Sequence, residues 1–322
     1  NTGTQWILFI VFFYLGDQMN IEEILKKEIN NLKQNNIENS TLKVKILLAN
    51  ILNVKKEYLL IHSEEEVKQE DKIKYENNIN ELIKGKPLQY ITNKQEFMGL
   101  NFYVDENVLI PQPDTEILVE KAIEIAETTQ KNKILDMCTG SGCIAISLAK
   151  NINNAQIIAT DISNNALNVA NKNAINHNVE NKIKFINSDM FNNIEEKFDI
   201  IVSNPPYIET VTINKLEIEV QNEPHLALDG GIDGLKFYMI IANNAFKYLN
   251  ENGYLLLEIG YNQQESVTQL LQDTGKYKNI ETIKDLLAFS IADTEFCSAF
   301  RATSSALAWF TESMKFNPLM VT

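Results

Sequence analysis

Cysteine is scarce: three in 322 residues. That excludes a disulfide scaffold and suits a reducing compartment, so a cytoplasmic location is expected. Histidine is equally rare. His62, His177 and His225 lie far apart without metal-ligand spacing, and no metal site is expected. Basic charge is also short. Against 43 Asp and Glu stand 29 Lys and Arg, a formal net charge of −14. Such a surface argues against a protein held on nucleic acid through its phosphates. It leaves open an enzyme that modifies a nucleic acid. Long apolar runs are missing too. Gln5 to Leu15 is the most apolar stretch, and its 11 residues fall short of the roughly 20 that a membrane span needs. No Lys or Arg precedes Lys26, so this stretch has no basic n-region of a signal peptide.

What is present is unevenly distributed. Residues 19–95 carry 13 basic and 12 acidic residues, a net of +1. Residues 96–288 carry 14 and 27, a net of −13. Asparagine divides the chain as well: 38 of 40 Asn lie in 19–288. These shifts suggest a body of two domains between two flanks of different character. Met19 is expected to be the start, with 1–18 an upstream extension; a membrane-skimming anchor is the alternative. Residues 289–322 (FSIADTEFCSAF onward) are expected to be an atypical tail of different origin, or else an ordinary variable terminus.

Residues 20–84 contain no Pro and repeat apolar positions at helical spacing. Ile21, Ile24, Leu25, Glu28 and Leu32 form one face. Leu42, Ile46, Leu47, Ile51 and Leu52 form another, and Ile73, Ile79, Leu82 and Ile83 a third. A bundle of about four or five helices follows, ended by Gly85-Lys86-Pro87. A hairpin is expected from Glu96 to Leu109, around Gly99. From Pro113 onward, strands and helices alternate. Strands are expected at 133–137, 157–160, 183–186, 199–203 and 254–259. Helices are expected at 113–128, 143–150, 164–176 and 235–249. Strict alternation means a parallel sheet covered on both faces.

Three segments carry chemistry. In ILDMCTGSG the first strand leads through Asp136 into a turn with Gly140 and Gly142, then a helix. Glycines there let a ligand approach backbone N–H groups, and an acid before the loop suits a cationic amino-acid end better than a pyrophosphate. A structural turn is the plainer alternative. Asp161 ends the second strand, where a carboxylate can accept from both hydroxyls of a ribose. Asp189 follows the third and can accept from an adenine amino group. Singly, each acid is more often a helix cap. Together they favour S-adenosyl-L-methionine. The third segment is Asn204-Pro205-Pro206-Tyr207, directly after the fourth strand. Two prolines stiffen the chain and remove two donors. The Asn204 side-chain oxygen and a nearby carbonyl can then grip both hydrogens of an –NH2 group, while Tyr207 offers a flat face. A Pro-Pro turn that merely ends a strand is the alternative.

These residues, with PLQYITNKQEFMGLNFYV (87–104), LIPQPDTEILVE (109–120), EPHLALDGGIDGL (223–235) and LLLEIGYNQ (255–263), resemble the release-factor glutamine methyltransferase family (HemK-type) over about 200 residues. The resemblance implies a Rossmann-like α/β methyltransferase sheet with an N-terminal helical bundle domain and a linking β-hairpin. The domains would be 19–95 for substrate docking, 96–112 for the hairpin linker and 113–288 for catalysis. The implied reaction moves a methyl group from S-adenosyl-L-methionine to the glutamine side chain of the Gly-Gly-Gln motif in class I peptide-chain release factors. By position, Asp136, Cys138, Thr139, Gly140, Ser141, Gly142, Asp161, Asp189, Met190 and Asn204 would line the cofactor site. Asn204 to Tyr207, with Phe97, Pro111 and Pro113, would hold the glutamine. A monomer without nucleic-acid or membrane contacts is expected. Three departures stand out: Gln112 replaces a usual Arg, Cys138 replaces the first loop glycine, and LAFSIADTEF follows Leu286 in place of the last strand. An unpaired sheet edge is the expected consequence. A nucleic-acid amino-methyltransferase and an inactive product of a damaged reading frame remain the alternatives.

Overall fold

The computed structural model describes residues 19–284 and 319–321. The expected extension at 1–18 and most of the 289–322 tail lie outside these residues. The chain divides into two compact units at Thr92/Asn93.

The first unit holds five helices among the described residues: α1 (Ile21–Gln34), α2 (Ser40–Leu52), α3 (Lys56–Ile61), α4 (Gln69–Ile83) and α5 (Leu88–Thr92). Asn20 caps α1, its side chain accepting from Glu23 N–H while the Glu23 carboxylate accepts from Asn20 N–H. Ile21, Ile24, Leu25 and Leu32 bury the inner face of α1 against Val44, Leu47 and Leu48 of α2 and Ile79 and Leu82 of α4. Buried Tyr75 donates to the Val44 carbonyl at 3.0 Å. Two details differ from the periodicity. Ile73 is 50% exposed, because the α4 face that turns inward runs through Tyr75, Ile79 and Leu82. Gly85-Lys86-Pro87 bends the bundle without ending it, since Pro87 leads straight into α5.

The second unit opens with a hairpin shorter than expected, β1 (Gln95–Phe97) and β2 (Leu100–Phe102), turned at Met98-Gly99. Both turn residues have positive φ, which glycine adopts freely. There follow α6 (Thr115–Thr129), β3 (Lys133–Met137), α7 (Cys143–Asn151), β4 (Gln156–Asp161), α8 (Asn164–Asn176), β5 (Ile183–Asn187) and β6 (Phe198–Ser203). Three short helices come next, α9 (Thr210–Ile213), α10 (Ile218–Gln221) and α11 (His225–Leu228). The unit closes with α12 (Lys236–Tyr248), β7 (Leu249–Ile259), α13 (Gln264–Asp273), β8 (Thr282–Lys284) and β9 (Leu319–Val321).

Strand order is β5-β4-β3-β6-β7-β9-β8, with β3 to β7 mutually parallel and β9 antiparallel to both neighbours. Four of the five residues of β3 are buried, because helices cover both sheet faces. One face packs on α6 and α7, the other on α12 and α13. The altered terminus does not leave β7 bare. Leu319–Val321 pairs with Leu257–Ile259 on one side and with Thr282–Lys284 on the other.

Candidate functional site

The sheet order reverses between β3 and β6. From β3 the chain moves outward to β4 and β5; from β6 it moves the other way to β7. Open α/β sheets bind ligands at such a switch point, beyond the carboxyl ends of the strands. Here Met137 pairs with Ser203, so the next residues, Cys138 and Asn204, leave the two strands side by side. The Ser203 hydroxyl donates to the Met137 carbonyl at 2.8 Å and locks this register.

On the β3 side the loop runs from Cys138 to Gly142. Cys138, Gly140 and Gly142 all have positive φ. A Cβ on Gly140 would meet nothing within 4 Å, so that side of the loop faces open space. A Cβ on Gly142 would lie 3.0 Å from the Ala170 side chain, where the loop packs on α8. Asp136 is held within the strand rather than at an open tip. It is 0% exposed, and its Oδ2 accepts from the Thr139 hydroxyl and from Ala145 N–H at 3.2 Å. Burial pushes its carboxyl up to about 7, against those two hydrogen bonds. The acid therefore braces the loop from beneath. Asp161 reaches the loop from the neighbouring strand, accepting from Gly140 N–H and Ser163 N–H, both at 2.9 Å. Burial raises its carboxyl too, opposed by these backbone donors. Asn173 of α8 ties the loop to the hairpin side: its amide donates to the Ser141 and Tyr103 carbonyls and accepts from Tyr103 N–H. Asp189 is exposed, while Met190 beside it is buried with φ +50.

On the β6 side, Pro205 and Pro206 are buried, and Asn204 and Tyr207 are partly exposed. Asn204 Nδ2 donates to Thr115 Oγ1 at 3.2 Å, which ties the motif to the start of α6. Gln263 Nε2 donates to the Tyr207 carbonyl at 3.0 Å and to the Gly234 carbonyl at 3.3 Å. The segment 208–231 folds back on the motif: Gly230 N–H donates to the Ile208 carbonyl, and Ile208 N–H to the Leu228 carbonyl. A Cβ on Gly230 would come within 2.7 Å of Tyr207 Cα, so only glycine fits there. Glu223 accepts from Ile110 N–H at 2.8 Å across 113 residues, joining this segment to the Pro111–Pro113 stretch. Beneath the motif sits Glu258, 2% exposed. Burial pushes its carboxyl up to about 7, with Thr115, Asn204 and Tyr207 as opposing hydrogen-bond donors and Asp114 adding to the rise. Burial and the Glu258 charge raise the Tyr207 hydroxyl well above its ordinary range.

The three expected wall residues differ in exposure. Phe97 is 1% exposed, its ring edge-on to Phe102 in the core, and presents no contact surface. Pro111 is buried and Pro113 exposed, with Gln112 Nε2 donating to the Ile110 carbonyl at 3.0 Å between them. Glu258, Gln263, Asn173, Thr115 and Glu223 escaped the sequence reading as site residues. For four of them a signal existed in the segments 109–120, 223–235 and 255–263. Asn173, one Asn among many, had none.

The donor set fits a cationic, hydroxyl-bearing cofactor. Asp136 Oδ1 and Ser141 Oγ are buried at the loop without a hydrogen-bond partner among the described residues. Among those residues no cluster of His, Cys, Asp and Glu could hold a metal ion. No helix among them is long and apolar enough to cross a membrane.

Residues 113–230 match the Methyltransferase small domain family, and residues 23–92 the PrmC N-terminal domain family. Fold, site and these matches define a Rossmann-like methyltransferase that uses S-adenosylmethionine. The chain is 41% identical over 271 residues to a release factor glutamine methyltransferase of Clostridium acetobutylicum, covering 83% of this chain and 95% of that protein. It is 40% identical to another of Fusobacterium nucleatum subsp. nucleatum, covering 82% and 75%. The chain belongs to the release factor glutamine methyltransferase family. A bifunctional methyltransferase of Rickettsia felis is 39% identical, and there the match spans only 57% of the relative's length. The catalytic domain of hMettl16, solved with the MAT2A 3'UTR hairpin 6, shares the fold at a TM-score of 0.51 and 14% identity, covering 79% of this chain and 81% of that one.

Proposed function

We propose that the enzyme methylates the side-chain amide nitrogen of the glutamine in the Gly-Gly-Gln motif of class I peptide-chain release factors. The observation that supports this reading best is the register Met137–Ser203, which brings Asn204 beside the glycine loop. Gly140, Gly142, Cys138, Thr139 and Ser141 offer backbone to the cofactor's amino-acid end. Asp161 has one backbone donor on each oxygen and keeps further lone pairs for ribose hydroxyls. Exposed Asp189 suits the adenine amino group, with Met190 against the ring. Asp136 acts through the loop it braces.

When bound, S-adenosylmethionine supplies an electrophilic methyl group on a sulfonium. The chain's own residues supply position. Asn204 Oδ1 accepts one amide hydrogen of the glutamine. Since Gln263 engages the Tyr207 carbonyl, the carbonyls of the Pro205-Pro206 pair are the acceptors for the other. Tyr207 stacks on the planar amide. On taking the methyl, the glutamine nitrogen would give up one proton to solvent.

The charge supports a protein substrate over a nucleic acid. Residues 96–288 carry a net of −13, and phosphate contacts need Lys and Arg. The test offers the purified chain labelled S-adenosylmethionine with a release factor or with duplex DNA. Label on the glutamine of the release factor is the expected result. Label on DNA alone refutes the proposal.

A further inference from the structure

A glutamine methylated within a protein brings its chain with it. Its side chain enters the Asn204–Tyr207 motif, and the polypeptide on either side must lie on the surface around that motif. Single exposed apolar side chains are ordinary on any protein, so only a concentration of them is informative. Eleven large apolar side chains are exposed among the described residues. Four of them fall in residues 208–235, directly after the motif, where an even spread would put about one. They are Val211 at 66%, Ile218 at 56%, Leu226 at 53% and Ile232 at 90%.

The backbone gathers these residues and holds them to the motif. Ile208 N–H donates to the Leu228 carbonyl at 2.9 Å, Gly230 N–H to the Ile208 carbonyl at 2.8 Å and Thr210 N–H to the Gly231 carbonyl at 2.9 Å. Val211 and Ile232 each follow one partner of the last bond, so their main chains run side by side. Leu226 lies on α11, two residues before Leu228. Gln263 fastens the far end, bonding the Tyr207 and Gly234 carbonyls together. A Cβ on Gly234 would collide with that Tyr207 carbonyl. A surface fixed in advance loses less freedom when a partner binds.

Charge narrows the partner. Residues 208–235 hold six acids and one base, Lys215, a net of −5. Glu223 is spent inside, on Ile110 N–H, while Glu209, Glu217 and Asp233 are exposed. Apolar side chains edged with charge are the composition of an interface core and its rim. We propose that residues 208–235 are the docking surface for the release factor's own chain beside the glutamine, and that the docked stretch is apolar at its centre and carries Lys or Arg at its edges. The acidic rim steers such a stretch in and turns phosphate away. The identity of the partner rests on the function proposed above.

The test measures binding of a class I release factor by calorimetry, with methyl transfer beside it. Val211→Ser combined with Ile232→Ser removes two exposed side chains and should leave Tm within about 2 °C. The dissociation constant and KM for the release factor should rise at least tenfold, with kcat and S-adenosylmethionine affinity within about twofold. Glu209→Gln, Glu217→Gln and Asp233→Asn together should weaken binding about fivefold at low salt and hardly at all at high salt. Unchanged binding in the Val211/Ile232 variant overturns the docking surface, as does a wild-type chain that binds no release factor. A wild-type chain that self-associates in sedimentation, and ceases to in that variant, overturns it in favour of a second copy. If the wild-type chain binds the release factor but methylates no glutamine, the proposed function falls instead, and the binding data still decide the surface.

Discussion

Asn173→Ala is the substitution that best separates the architecture of the cofactor loop from its chemistry. Asn173 is fully buried in α8. It accepts from Tyr103 N–H at 2.8 Å and donates to the Tyr103 and Ser141 carbonyls, each at 2.9 Å. Alanine strands all three backbone groups. A hydrogen bond contributes about 1 kcal/mol net, and each orphaned buried group costs about 1–3 kcal/mol. Water entering the small space recovers part of this, so a loss of about 3 kcal/mol is expected. For a unit of this size that lowers Tm by roughly 6–12 °C, at about 2–4 °C per kcal/mol. Calorimetric melting measures it. Titration calorimetry should also show weaker S-adenosylmethionine binding, because Ser141 loses its anchor. Asn173→Asp keeps the acceptor and loses both donors, so it should destabilise as well. A Tm drop under about 2 °C for the alanine variant, with unchanged cofactor affinity, would refute the reasoning.

Asn204→Ala should abolish methyl transfer and leave S-adenosylmethionine binding within a few-fold, read by filter assay and calorimetry; full transfer would remove the role given to the side chain. Gly230→Ala drives a Cβ to 2.7 Å from Tyr207 Cα and should lower kcat at least tenfold, with cofactor affinity little changed. Wild-type kcat in that variant would show that the motif need not be held so closely. The Asp136 carboxyl is raised in the folded chain to about 7 from an ordinary 3.8. Its folded form thus binds the proton more tightly, and the related stability is full below about pH 4, falls as pH rises toward 7, and then levels. Urea unfolding at pH 4.5 and pH 8 should show this fall in the wild type and a smaller one in Asp136→Asn, by a few kcal/mol. Equal falls in both chains would refute the assignment.

Much of this molecule was readable before any coordinates. Apolar runs of five or six residues separated by helical stretches placed β3 to β6 and α8 with ends correct to a residue or so. Where periodicity was weak, the reading thinned. Helix α13 follows β7 after a short turn, and its apolar residues are few; only Val267 and Leu271 are buried. Leu249 to Gly253 lengthens β7 through polar residues that no strand pattern marks. Ile73 looked like core because helical spacing tells which residues share a face, not which face the neighbours leave free. The motifs gave Asn204, Asp161 and the glycine loop, whose chemistry is local. Supporting contacts span far greater distances along the chain: Glu223 to Ile110 across 113 residues, Asn173 to Tyr103 across 70, Gln263 to Tyr207 across 56. A single sequence carries no record of such partners.

The pairing of Met137 with Ser203 has a consequence for how such an enzyme can change. The Cys138–Gly142 loop and the Asn204–Tyr207 motif, proposed to hold methyl donor and acceptor, begin one residue beyond a main-chain ladder. Their separation is thus tied to the spacing of adjacent strands, about 4.8 Å, a constant of the polypeptide backbone. Side-chain substitution can reshape the walls, the charge and the outer segments without retuning that gap. New acceptors can be tried on an unaltered ruler.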